Sequence, residues 1–408
     1  MAGADGATGP TSRPGTGRAV AVLVLVALGA LIPLLGPSAA LHGTGEAAAP
    51  GVGGIALLRA VLFAALCVPV GELFVNRLAR SVPGAPPAAP RSWAPYAAAV
   101  GLVAALGLAS VVATGNLVPH SLAEIDVGGL YESRDGKLAL VEVNAFLAAA
   151  LCARSARPGS QVWPLAAVVA AEALRAHPTT EYSPWVGSGL TLVHLTCAAL
   201  WVGGLLHVLR TLRGWGAGRV SGAGVARGGP VAGAGTERAG PAAGTEPDPG
   251  AAGAERGEAR AEAEATGGAA GTEVGAARGV PGGTTADGGL RPVAAPAQAS
   301  AALLGLYARV AAVLLAVITA TGVWSTLRRM PQETVLDQLT STAYGRVLLA
   351  KVLLVAAVAV LALWARIRLR RAPDPLTACS PARAEVVALG VVVVVSGLLT
   401  ALPVPIRW

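Results

Sequence analysis

The densest run of side chains able to bind or pass an ion is 192–207, LVHLTCAALWVGGLLH. Wound as a helix at about 100° per residue, it puts His194, Cys197 and Trp201 on one face, which Gly204 continues. Imidazole nitrogen and thiolate sulfur both ligate copper, and the i, i+3 spacing brings two donors to one ion. His207 falls about 220° around the helix from His194, so these two cannot share an ion. It reads either as a second, exit-side donor or as a side chain snorkelling to the interface. Gly203 and Gly204 leave room for another helix to pack closely. His177, just before the run, is a candidate for metal capture against the plainer reading of a solvated loop histidine, and His120 and Met330 are auxiliary donors in loops on the same side.

Two charged residues inside apolar stretches need partners or water, because an ionisable side chain at membrane depth is costly. Glu142 and Lys351 hold matching positions in an internal repeat. Ala113-Thr114-Gly115 echoes Ala320-Thr321-Gly322, and GKLALVEV from Gly136 parallels GRVLLAKV from Gly345. A Glu142–Lys351 pair across a pseudo-symmetric interface would neutralise both charges. Snorkelling to the nearby surface is the rival reading.

These residues must be held by membrane helices. The chain of 408 residues is 54% hydrophobic and 13% charged, with a mean hydropathy of +0.61. Apolar runs of about 20 residues, the length a helix needs to cross a bilayer, recur along it, and no alternating barrel pattern is seen. The pattern predicts an all-α, polytopic bundle of about nine spans, near 19–40, 54–75, 96–118, 138–154, 160–176, 187–209, 308–327, 344–365 and 384–403. The fifth is short. The first also reads as a signal peptide, which would leave eight. Lys and Arg counts in alternate loops put the N-terminus in the cytoplasm and Trp408 outside. The domain reading is a tail over 1–18, a transmembrane half over 19–175, span six within 176–213, a disordered cytoplasmic linker rich in Gly, Ala and Pro over 214–300, and a three-span part over 301–408. The repeat pairs spans two to four with six to eight in parallel orientation. The formal charge of +8 sits at span edges, where the positive-inside rule accounts for it, so no nucleic-acid partner is implied. The four cysteines imply no disulfide framework.

His194 with Trp201-Val202-Gly203-Gly204, then Thr321-Gly322-Val323, Thr342-Ala343-Tyr344-Gly345-Arg346, Lys351 and Glu385, resemble the copper resistance D (CopD) domain, over about 175–213 and 305–405. The resemblance implies a copper-handling protein of the cytoplasmic membrane. It would move copper inward without covalent catalysis, beside an extracytoplasmic copper-binding partner of the CopC kind. Copper is the implied metal, Cu⁺ or Cu²⁺. Only Met1 and Met330 are present, so no methionine-rich copper path is available. A structural or assembly role without transport is the alternative. A haem-carrying electron-transfer subunit is another, but it requires a pair of histidines at one membrane depth.

Overall fold

The computed structural model describes residues 14–47, 50–87, 89–115, 126–177, 183–225, 294–329, 334–371 and 379–402, and all regular structure among them is helical. In chain order the helices are α1 (Pro14–Leu41), α2 (Val52–Arg80), α3 (Ala94–Thr114), α4 (Val127–Glu132), α5 (Arg134–Arg154), α6 (Val162–Arg175), α7 (Pro184–Val225), α8 (Ala294–Arg329), α9 (Val335–Ser341), α10 (Ala343–Arg371) and α11 (Cys379–Ala401). A 3₁₀ turn, Pro158–Gln161, precedes α6. Residues 1–222 with 291–408 form one compact unit, and 223–290 form a second, of which only 223–225 are described.

Eight described helices are long and apolar enough to cross a bilayer. Many of their apolar side chains are not hidden in a core. Leu353 is 63% exposed, Val360 66% and Val103 68%. Water would not tolerate such surfaces over whole helices, whereas lipid tails match them.

Of the about nine spans expected, the fifth, read from sequence as short, is too short for a full crossing. Its helix, α6, has 14 residues, which rise about 21 Å against about 30 Å of hydrocarbon. The chain nevertheless returns to its starting level. The Arg134 guanidinium at the start of α5 donates to the Leu174 carbonyl at 2.7 Å and the His177 carbonyl at 3.2 Å. Polar side chains permit the shortness, since Glu172 and Arg175 of α6 meet charged partners inside the bundle.

The repeat has a structural counterpart in how α5 and α10 begin. Each follows a short helix, α4 or α9, and each is capped by a hydroxyl. Ser133 Oγ accepts from the Gly136 N–H at 3.0 Å, and Thr342 Oγ1 accepts from the Gly345 N–H at 3.0 Å. Each cap satisfies an N–H that the first turn leaves without a helical partner. Both glycines are needed for close approach. A Cβ on Gly136 would lie 2.5 Å from Leu130 Cα, and one on Gly345 would strike the Gln338 and Leu339 backbone. The helices that open the two repeats, α2 and α7, touch backbone to backbone. A Cβ on Gly71 would fall inside Gly203, and one on Gly203 inside the Cys67 carbonyl. Of the glycine pair in span six, Gly203 makes this crossing, while Gly204 faces the Tyr307 ring.

Helix runs into both ends of the linker expected over 214–300. Helix α7 continues to Val225 and α8 starts at Ala294. Trp215 is buried with Val82, Ala299 and Leu303. An indole burying its apolar surface there holds the two helix ends together. Residues 226–293 lie outside the described residues, as do His120, Met330 and 403–408.

Candidate functional site

One end of the bundle is drawn together by arginines. Besides Arg134, Arg328 at the end of α8 donates to the Ser183 carbonyl before α7 at 3.2 Å, and Arg346 at the start of α10 donates to the His42 carbonyl after α1 at 2.7 Å. Below this end lies a cavity of about 410 Å³, walled by α2, α6, α7, α8, α10 and α11. Helix rise puts His194, Thr321 and Lys351 at similar depths, about 12–15 Å from that end. All three line the cavity.

His194 of α7 is positioned by α8. Its Nδ1 is 3.0 Å from Thr321 Oγ1. The Thr321 hydroxyl donates to carbonyls of its own helix, Val317 at 2.8 Å or Ile318 at 3.0 Å. Its single proton is thereby used, so toward His194 it accepts, and Nδ1 is the nitrogen assigned the proton. Nε2 is left with the lone pair. A hydrogen bond on one ring nitrogen that fixes the other as a donor is how metal-binding histidines are held. Gly322 lies beside the ring, where a Cβ would meet His194 Cε1 in ordinary van der Waals contact at 3.8 Å.

The cavity's α2 and α6 walls carry a network of paired ions. Arg59 Nη1 donates to Glu172 Oε2 at 3.1 Å, Arg175 Nη1 donates to Glu172 Oε1 at 3.0 Å, and the same nitrogen donates to Glu142 Oε2 at 2.9 Å. Glu142 is fully buried and Glu172 is 4% exposed. Charges so deep persist only when paired. The expected Glu142–Lys351 pair is therefore corrected. Glu142 takes Arg175 because α6 packs beside α5 and carries the cation to it. Lys351 stands on the far wall of the cavity, with no carboxylate within ion-pairing distance among the described residues.

The other candidates separate. Cys197 is half-buried, packs against the apolar cluster that includes Leu205 and Leu314, and is not part of the cavity wall, so the expected His194–Cys197 couple does not face one space. The thiol in the wall is that of Cys67 on α2. Trp201 lines the cavity with part of its surface, is 4% exposed, and offers its carbonyl to the Tyr307 hydroxyl at 2.6 Å. His177 is not solvated. It is 2% exposed, lies against Gly187, and its Nε2 is 2.9 Å from Thr191 Oγ1, a residue of the cavity wall.

His207 belongs to a separate cluster at the opposite end and does not snorkel, being 2% exposed. Its Nε2 meets Asn76 Oδ1 at 3.1 Å, and its Nδ1 lies 3.8 Å from Glu72. Glu72 in turn accepts from Arg210 at 2.8 Å, from Ser92 Oγ at 2.6 Å and from the Trp93 N–H at 2.7 Å. It thus caps the start of α3. Arg210 stacks over the Trp93 ring at 3.6 Å. This cluster locks α2, α3 and α7 together.

Sequence reasoning missed Arg59, Cys67, Glu172 and Arg175 as members of one site. Glu172 and Arg175 are one helical turn apart, but the separation of 113 residues between Arg59 and Glu172 gave no sign that α2 and α6 share a site, although Arg59 within an apolar run was itself a signal.

A family model described as Copper resistance protein D matches residues 301–399. The matched stretch covers most of α8, all of α9 and α10, and α11 as far as Leu399, and so includes Thr321, Tyr344 and Lys351 of the cavity wall. The 175–213 stretch with His194 lies outside it. No curated protein and no solved structure matches the chain.

Proposed function

We propose that this membrane protein takes up copper into the cavity beneath the arginine-laced end and moves it across the cytoplasmic membrane, with His194 Nε2 as the donor that receives the ion. The observation that carries the reading is the His194–Thr321 contact. With the proton assigned to Nδ1, it leaves the lone pair on Nε2 of a ring in the cavity wall, and Thr321 itself lies in the stretch matched to the copper resistance family. Imidazole suits copper, and a fixed tautomer raises its value as a ligand. Cys67 is the sulfur nearest to hand in the same wall. Copper is cargo here, and no covalent step is involved. The arginine-laced end is the outer one, in keeping with the Lys and Arg counts, and the Glu72 cluster is cytoplasmic.

The test is His194→Ala. Cells carrying this variant are expected to lose the protein-dependent copper accumulation, measured by atomic absorption. Membrane levels should be unchanged, because removing a polar group does not hinder insertion. Undiminished copper accumulation at matched protein level overturns the assignment.

A further inference from the structure

The cavity is more positive than a site for a bare cation should be. Arg59, Arg175 and Lys351 stand in its wall, and only Glu172 among the lining residues is acidic. Even with Glu142 behind Arg175 counted, three cations face two carboxylates. The surplus charge is that of Lys351, whose ammonium has no carboxylate in reach among the described residues. Donors are in surplus as well. Arg59 Nε and Arg175 Nε and Nη2 are buried without an acceptor, three donors against the one acceptor of the same network left without a partner, Glu142 Oε1. Dehydrated donors on charged groups are expensive to leave unmatched, and an anion is the ligand that satisfies them.

We propose that this cavity binds a small monoanion, a halide or a short carboxylate, at Lys351, and that copper occupies the cavity together with it. A single surplus charge calls for a monoanion. Copper needs it for a second reason: no group of three or more His, Cys, Asp or Glu side chains among the described residues can hold a metal. An anion next to His194 adds a ligand to the ion and offsets part of the positive charge that copper and Lys351 bring together in a low-dielectric space. The joint occupancy rests on the copper reading above; the anion site does not.

The test uses purified full-length protein in detergent micelles, copper-free, in sulfate buffer, with equilibrium binding of ³⁶Cl⁻ and competition by formate. Saturable chloride binding is expected, weakened about tenfold or more in Lys351→Met and largely kept in Lys351→Arg. Retention in Lys351→Arg also separates an anion site from a lysine amine that ligates copper directly, since guanidinium cannot ligate. His194→Ala should keep chloride binding while losing copper. In the wild type, copper binding should tighten when chloride or formate replaces sulfate, and Lys351→Met should abolish that dependence. Absence of saturable chloride binding, or equal binding in Lys351→Met, overturns the anion site whatever copper does. Copper binding that is indifferent to the anion overturns joint occupancy alone. If no copper binds under any condition while chloride does, the copper reading fails and the anion site stands.

Discussion

The two repeats begin alike and diverge nearly two helical turns later. Helices α5 and α10 share a hydroxyl cap, a glycine against the preceding short helix, and a charged residue six positions beyond it. In the first repeat that residue is Glu142, and Arg175 closes on it at 2.9 Å. In the second it is Lys351, facing a cavity with His194. One scaffold thus carries a network of paired ions in one half and an open polar wall in the other. The difference teaches that the cavity is a property of side-chain pairing and not of backbone course. Where the neighbouring helix supplies a counter-charge, the position becomes structural, and where it does not, the position is free to meet a ligand.

Removing the closing charge should break this contrast most severely. Arg175→Ala leaves two buried carboxylates facing each other and is expected to destabilise the protein by about 3–5 kcal/mol. Thermal unfolding of the purified protein in micelles would report it, and Arg175→Ala with Glu142→Gln should recover part of the loss. An unchanged midpoint for Arg175→Ala would mean the first half does not depend on its network. On the open side, Thr321→Val removes the acceptor that sets the His194 tautomer and should weaken copper binding about 10–100-fold, with Thr321→Ser close to wild type. Copper titration decides this, and equal affinity in Thr321→Val would detach His194 from its supporting contact.

The shared part of the repeats predicts smaller and matched effects. Ser133→Ala and Thr342→Ala should each cost about 1 kcal/mol, as lost caps do. A cost confined to one of them in parallel unfolding measurements would end the equivalence. Smallest of all, Cys197→Ala should leave copper binding as it is, because Cys197 packs outside the cavity, whereas Cys67→Ala should lower it. The reverse order would return the sulfur role to α7.

The spans were legible because a long apolar run of helical length has no other stable home than a bilayer. The helix α6 was only half legible, since its 14 residues and its charges imitate a loop-flanking fragment until Arg134 is seen to tie its end to the start of α5. Gly and Ala made the beginning of α7's extension look like linker, and only the packing of Trp215 reveals that the helix continues. In the site, His194 and Thr321 could be read from their own motifs. The partner of Glu142 could not, because helical periodicity says which face a residue is on and nothing about which helix lies beside that face.

Trp215 has one more consequence. By packing against Ala299 and Leu303 it brings the ends of the two long helices side by side, so the bundle itself already meets the entropic cost of closing whatever chain runs between them. The membrane body is then, in effect, two polypeptides held by their own interface and only incidentally by a peptide bond, and a gene cut at 250 should yield fragments that find each other in the membrane and co-purify.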